Sequence, residues 1–307
     1  MPHIATIPSR EPGRRRGGCR GPFDPSFAAR ESTRNDRPPP KSLRATGPLP
    51  RMPRTAATIV IPARLESSRL PRKMLRADTG RPLIEHTWRA ARGATAAGLV
   101  VATDSEEIAE AVRGFGGEVV MTSVEADSGT SRIVEALPSL PETPILVNLQ
   151  GDEPEIDPAA IDRVVDLLDR CDEAGVATLV TPITDATRLH DPAIVKAVLT
   201  PHRHAGDWRA IYFSRAAVPA AREFRPELLA ASPPLFWQHV GLYAYRRELL
   251  ESWHCLPASR LATIESLEQL RFLEAGVGIV ATSVEEAAPG IDTADDYAAF
   301  VARCRKD

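Results

Sequence analysis

The sequence predicts an α/β fold built on a mostly parallel sheet flanked by helices, with an antiparallel extension in its second half. Three observations carry this. From residue 57 to 168 short β-branched runs alternate with helix-length amphipathic segments. Gly, Pro or capping residues separate each strand from the next helix. After residue 190 the runs crowd together with polar turns between them, as antiparallel strands do.

Ala57–Ile61 reads as a buried strand stopped by Pro62. Pro82 opens a helix with Leu83, Ile84, Thr87, Trp88 and Ala91 on one face. Leu99–Ala102 is a second strand. Asp104 or Ser105 caps the next helix, which carries Ile108, Ala111 and Val112 and stops at Gly116-Gly117. Glu118–Met121, Thr130–Leu137, Ile145–Leu149 and Pro158–Leu168 continue as strand, helix, strand and helix. In the second half Ile194–Leu199 and Arg209–Ser214 form strands joined by a turn at Gly206-Asp207. Val240–Tyr245 is a strand, Ile264–Glu274 one amphipathic helix, Val277–Ala281 a strand and Thr293–Cys304 a closing helix. No internal repeat is present.

The 307 residues, 43% hydrophobic and 26% charged, suffice for a large core and exclude a wholly disordered chain. Residues 1–51 differ from the rest. Ten Arg and Lys41 face four acids, giving +7 and leaving −10 for residues 52–307. Ten of the 28 prolines lie there, with almost no apolar periodicity. Such a segment cannot bury enough surface to offset its ordering entropy, so a disordered tail is expected. It has no apolar h-region for secretion, and its prolines oppose a transit helix. Arg14-Arg15-Arg16 would suit a nucleic-acid arm. The preferred reading is a mis-assigned start, with translation beginning at Met52, because strand-like sequence begins within a few residues of it. Residues 52–307 then form one domain.

No apolar run is long enough to cross a bilayer, so no membrane partner is expected. Cys19, Cys171, Cys255 and Cys304 make no CxxC pair and have no zinc-finger spacing. They fit a reducing cytoplasm as ordinary buried or surface side chains.

Ligands of parallel sheets bind beyond the carboxyl ends of the strands. The loop after the first strand, Pro62 to Lys73, holds Arg64, Arg69, Arg72 and Lys73. Cations there suit a polyphosphate, with Arg offering a fork and Lys a point charge. A solvated basic loop is the plain alternative, and the preceding buried strand tips the balance to phosphate. No GxxxxGK[ST] or GxGxxG occurs. Gln150-Gly151-Asp152-Glu153-Pro154 follows the fourth strand, and Asp152 is a natural Mg²⁺ ligand there, or simply part of a capped turn. Gly290-Ile291-Asp292-Thr293 supplies Asp292, which also reads as a helix N-cap. Ser128-Gly129-Thr130 can meet a base edge or merely start a helix.

These segments, taken together, resemble a family. Ile61-Pro62-Ala63-Arg64 to Arg69-Leu70-Pro71-Arg72-Lys73, Ala102-Thr103-Asp104, Ser128-Gly129-Thr130-Ser131-Arg132 and Asn148-Leu149-Gln150-Gly151-Asp152-Glu153-Pro154 resemble the 3-deoxy-manno-octulosonate cytidylyltransferases. The resemblance continues through Tyr212-Phe213-Ser214-Arg215, His239 to Arg246, Ile264 to Arg271 and Gly290 to Thr293, covering nearly all of 57–303 in order. It implies a Rossmann-like nucleotidyltransferase sheet, a cytoplasmic homodimer, and transfer of CMP from CTP to a 3-deoxy-ulosonic acid for lipopolysaccharide synthesis. Arg64, Arg69 and Lys73 would hold the triphosphate, and Asp152 and Asp292 Mg²⁺. Pro62, Ala63, Ser128, Gly129, Thr130 and Gln150 would border the nucleotide. Gln150, Arg215, His239, Tyr243, Glu265 and Gln269 would take the sugar acid, with Arg215 on its carboxylate. The plain alternatives are core positions for His239 and Tyr243, which alternate on one strand face, and a helix-surface charge for Glu265.

The family segment LPGKPL has Arg72 for Gly and Met74 for Pro here; Ala126, Ser131, Gln238 and Thr263 also depart from it. The last two border the sugar, so an 8-amino analogue is an alternative substrate. Other classes are a nucleotidyltransferase for another base, a non-catalytic nucleotide binder and, ranked last, a nucleic-acid binder.

Overall fold

The computed structural model describes residues 56–305 apart from 68, 127 and 203–205. The tail at 1–51, Met52 and Cys19 lie outside the described residues.

Four parallel strands carry the first half: β1 (Ala57–Ala63), β2 (Gly98–Thr103), β3 (Glu118–Met121) and β4 (Ile145–Asn148). β1 lies between β2 and β4, and β3 flanks β2. Their carboxyl ends therefore point the same way, as successive strand-helix crossovers require.

The helices between them are α1 (Leu83–Ala91), α2 (Glu106–Gly114), α3 (Gly129–Ala136) and α4 (Pro158–Asp169). Each start has a local cause. Ser105 caps α2 by accepting from Ile108 N–H, and Asp157 caps α4 ahead of Pro158. Ser128 and Ser131 form a reciprocal capping box on α3. Gly116 takes φ 83° and turns the chain out of α2.

The second half adds β5 (Ala174–Pro182), β6 (Lys196–Pro201), β7 (Asp207–Ser214), β8 (Trp237–Arg246) and β9 (Gly278–Ser283). The nine strands run in the order β3-β2-β1-β4-β8-β5-β9-β7-β6. β8 joins the halves, running antiparallel to both β4 and β5. It also meets β6 at Lys196↔Gln238 and Ala197↔Trp237, so β8, β5, β9, β7 and β6 pair in a ring. The expected antiparallel extension is present, with β5 and β9 parallel inside it.

Short helices complete the chain: α5 (Ala186–His190), α6 (Arg247–Glu251), α7 (Arg260–Glu265), α8 (Gln269–Glu274) and α9 (Ala294–Cys304). The single helix expected over Ile264–Glu274 is two. Ser266 takes the left-handed φ 54° between them and ends the hydrogen-bond ladder.

One core lies under α1, α2 and α4, and a second under α3, α6 and α8 on the opposite face. A smaller cluster of Leu70, Leu83, Ile291, Tyr297, Phe300 and Val301 seats α9 against α1 and the first loop. Among the described residues Cys171 is buried, Cys255 exposed and Cys304 partly buried. Among them, too, no helix is long and apolar enough to cross a membrane.

A candidate nucleotide and sugar-acid site

The carboxyl ends of β1, β3 and β4 open onto one cleft of about 240 Å³. Pro62, Ala63, Arg64 and Arg69 line it from the first loop, with Lys73 just beyond. Ser128 and Gly129 come from the start of α3, Gln150 and Asp152 from the loop after β4, and Asp292 from the loop before α9.

Lys73 forms the centre. It is 7% exposed, and its ammonium stands 2.6 Å from Asp152 Oδ2, 3.4 Å from Asp292 Oδ1 and 2.8 Å from the Ile291 carbonyl. Arg69 reaches Asp292 Oδ1 at 3.1 Å. Arg64 is exposed on the rim and makes no ion pair among the described residues. With Arg132, four cations line the cleft, and two of them, Arg69 and Lys73, touch the same carboxylate.

The backbone fixes this arrangement. Ile291 N–H donates to Asp152 O at 2.9 Å, joining the two acid-bearing loops. Thr87 of α1 donates to Gly151 O at 2.8 Å. A Cβ at Gly151 would stand 3.0 Å from Met74 Sδ and 3.3 Å from Ile84, so glycine permits this close packing. Asp292 is not the helix cap. Thr293 caps α9 through a box with Asp296, which frees the Asp292 carboxylate for the cleft.

Ser128 is committed to its capping box, and Gly129 packs near Pro62, Asn148 and Gln150. Gln150 Nε2 donates to Asn148 Oδ1 at 3.1 Å. Thr130 is not in the cleft. It is 1% exposed and donates to Glu268 Oε2 at 2.7 Å, with Tyr245 OH at 3.4 Å. One residue along α3, Thr130 projects about 100° round the helix from Gly129.

The residues expected for the sugar acid gather along β8 and α7–α8. His239 and Tyr243 have ring centroids 5.3 Å apart, and Tyr243 stacks on Tyr245 at 5.7 Å. His239 Nε2 meets Thr178 Oγ1 at 3.0 Å, while that hydroxyl donates to Leu242 O at 2.8 Å. Burial pushes the His239 pKa down to about 3, so the ring is neutral near pH 7. Glu265 is no free surface charge: it accepts from Ser214 Oγ at 2.6 Å and from Arg215 N–H at 2.9 Å. Burial pushes its carboxyl up, but these bonds together with Arg215 and Tyr212 outweigh that and hold it below its ordinary value. Arg215 Nε donates to Glu265 O at 2.8 Å. Gln269 is 3% exposed, and its Nε2 is buried without a partner among the described residues.

Asn148 joins the two regions. It pairs with Tyr243 across β4 and β8 and takes the Gln150 amide. Sequence reasoning assigned it no role, although it opens the segment that holds Gln150 and Asp152. Arg132 was also missed. It is 3% exposed, pairs with Asp104 at 2.8 Å and ties down the loop after β3 through Thr122 Oγ1 at 2.6 Å. Asn148 lies in the segment Asn148–Pro154 and Arg132 in Ser128–Arg132, so membership of a family-like motif was the available signal. Glu153 lies next to Asp152 with a buried Oε2 that has no partner among the described residues. Burial, then the Asp152 charge, pushes its pKa up to about 8.

Comparison with known proteins identifies the family. Residues 58–281 match the family described as Cytidylyltransferase. A 3-deoxy-manno-octulosonate cytidylyltransferase of Rhodopirellula baltica is 50% identical over 247 residues, 80% of this chain and 97% of its own. An 8-amino-3,8-dideoxy-manno-octulosonate cytidylyltransferase of Shewanella piezotolerans is 42% identical over 256 residues, 81% of this chain and 99% of its own. A solved CMP:2-keto-3-deoxy-manno-octonic acid synthetase complexed with CTP superimposes with TM-score 0.74 at 37% identity, covering 82% of this chain and 99% of that one. The expectation drawn from the motifs holds: the chain belongs to the 3-deoxy-manno-octulosonate cytidylyltransferase family.

Proposed function

We propose that this protein transfers CMP from CTP to the anomeric hydroxyl of 3-deoxy-D-manno-octulosonate, giving the CMP-sugar and pyrophosphate for lipopolysaccharide synthesis. The observation that carries the proposal is the convergence of Lys73, Arg69, Asp152 and Asp292 in one cleft beyond the sheet's carboxyl edge.

Each group has a task. Arg64, Arg69 and Lys73 neutralise the triphosphate and the leaving pyrophosphate. Pro62, Ala63, Ser128, Gly129 and Gln150 border the nucleotide. Arg215 takes the sugar carboxylate, and His239, Tyr243, Glu265 and Gln269 bond hydroxyls. The bond formed joins the anomeric oxygen to the α-phosphorus; the α–β phosphoanhydride bond breaks and the hydroxyl proton leaves to solvent. Placement and charge neutralisation carry such a transfer without a covalent nucleophile.

Asp152 and Asp292 would hold Mg²⁺. Their fit is supported by one cation, the Lys73 ammonium, lying within 3.4 Å of both carboxylates. No set of three or more His, Cys, Asp or Glu converges among the described residues. Two carboxylates suit Mg²⁺, which completes its shell with phosphate oxygens and water. When bound, Mg²⁺ supplies positive charge to the phosphate and acidifies a hydroxyl. A cytoplasmic location and a homodimer complete the proposal, both on family grounds; no membrane or nucleic-acid partner is proposed.

Incubation with CTP, the sugar acid and Mg²⁺, followed by ³¹P NMR, tests this. The expected result is a new phosphodiester with one pyrophosphate per product. No product with any ulosonic acid would leave a nucleotide-binding protein. The relative from Shewanella supports the 8-amino sugar as the second substrate to compare. A higher kcat/KM for that sugar would reassign the substrate.

A further inference from the structure

We infer that Lys196 is a positioning residue that holds Arg215 and His239 in one fixed arrangement for the sugar acid. The inference rests on the reading above that Arg215 and His239 bind that substrate.

Lys196 begins β6 and is 0% exposed. An ammonium has three donors and no acceptor. All three meet backbone carbonyls: Asp191 O at 2.9 Å, Ile194 O at 2.7 Å and Arg215 O at 2.6 Å. None of its contacts among the described residues is an ion pair. An enclosed cation held only by carbonyls is an expensive arrangement, and a buried apolar side chain would fill the space more cheaply.

The segment 191–196 serves both sugar-facing residues. Arg215 Nη1 donates to Pro192 O at 3.2 Å, and His239 N–H donates to Val195 O at 2.9 Å. Lys196 itself pairs with Ser214 on β7 and Gln238 on β8, the neighbours of Arg215 and His239 in sequence. Its ammonium therefore ties the loop to the residue after β7, and the backbone of the same segment holds the start of β8. Three of the five Arg215 N–H groups are engaged, by Glu265 O, Pro192 O and Ser266 O. Two remain, the number that a bidentate carboxylate contact needs. Loss of the Lys196 anchor would release the Pro192 carbonyl and the Arg215 backbone together, leaving the nucleotide cleft untouched.

The test compares Lys196→Met and Arg215→Met in the full chain, measuring KM for the sugar acid, CTP affinity by calorimetry, and Tm. The expected result for Lys196→Met is a rise of about ten-fold or more in the sugar KM with CTP affinity within about two-fold. Lys196→Gln, which keeps two donors, should recover part of the sugar KM; it also carries the test if Lys196→Met does not fold. An unchanged sugar KM, or equal losses for both substrates, would overturn the role of Lys196. If Arg215→Met leaves the sugar KM unchanged, the sugar-site reading itself fails. If Arg215→Met raises it and neither Lys196 variant does, only the positioning role fails.

Discussion

The Lys73 ammonium lies 2.6 Å from Asp152 Oδ2 across 79 residues of sequence, inside a wall that leaves the lysine 7% exposed. The same ammonium reaches Asp292, 219 residues away. One buried cation thus marks where two distant acids meet, the point to which the proposed function brings the triphosphate.

Removing either partner should cost transition-state stabilisation. Lys73→Met should lower kcat by roughly 10²- to 10³-fold, the usual effect of losing one preorganised charge. Asp152→Asn should do at least as much and abolish the Mg²⁺ dependence. Steady-state kinetics over a Mg²⁺ titration would check both.

Thr130 separates the structure from the motif. Its hydroxyl serves Glu268 and Tyr245, away from the cleft. Thr130→Val should leave KM for CTP within about two-fold and destabilise the fold by about 1–3 kcal/mol, the cost of unpaired buried groups. A large rise in the CTP KM would show that the hydroxyl reaches the nucleotide.

Glu153 should make stability fall with rising pH. Its folded pKa of about 8 lies above the ordinary 4.5. Between those values the folded state binds more protons than the unfolded state, so its stabilising contribution is complete below about 4.5 and lost by about 8. Glu153→Gln should flatten that part of the Tm–pH curve in the substrate-free protein. Identical curves for the two proteins would contradict it.

Arg72 holds φ 54° with an ordinary side chain, and its guanidinium pairs on the surface with Glu107. A left-handed non-glycine residue is strained, while an exposed ion pair adds little. Arg72→Gly should therefore raise Tm by a few degrees, read by differential scanning calorimetry.

Much of the first half was legible because its signals are local. Strand Glu118–Met121 and helix Pro158–Asp169 are bounded by Gly117 and by Asp157-Pro158. β5 was missed: Ala174–Pro182 is buried on both faces, so it shows no alternation, and its antiparallel partner lies at Trp237–Arg246. The break at Ser266 was hidden because Ile264, Leu267 and Leu270 keep helical spacing across it; Glu265, drawn to Ser214 and Arg215, accompanies that break. The basic first loop and both acids were legible from their places after strands or in motifs. Their meeting at Lys73, and the anchoring by Lys196, are tertiary facts with no sequence period.

Pyrophosphate release in the presence of the sugar acid and Mg²⁺, compared across CTP, UTP, ATP and GTP, tests the central claim most directly. The account predicts release with CTP alone, lost in Asp152→Ala. Release with another nucleotide in preference to CTP, or undiminished release in Asp152→Ala, would contradict it.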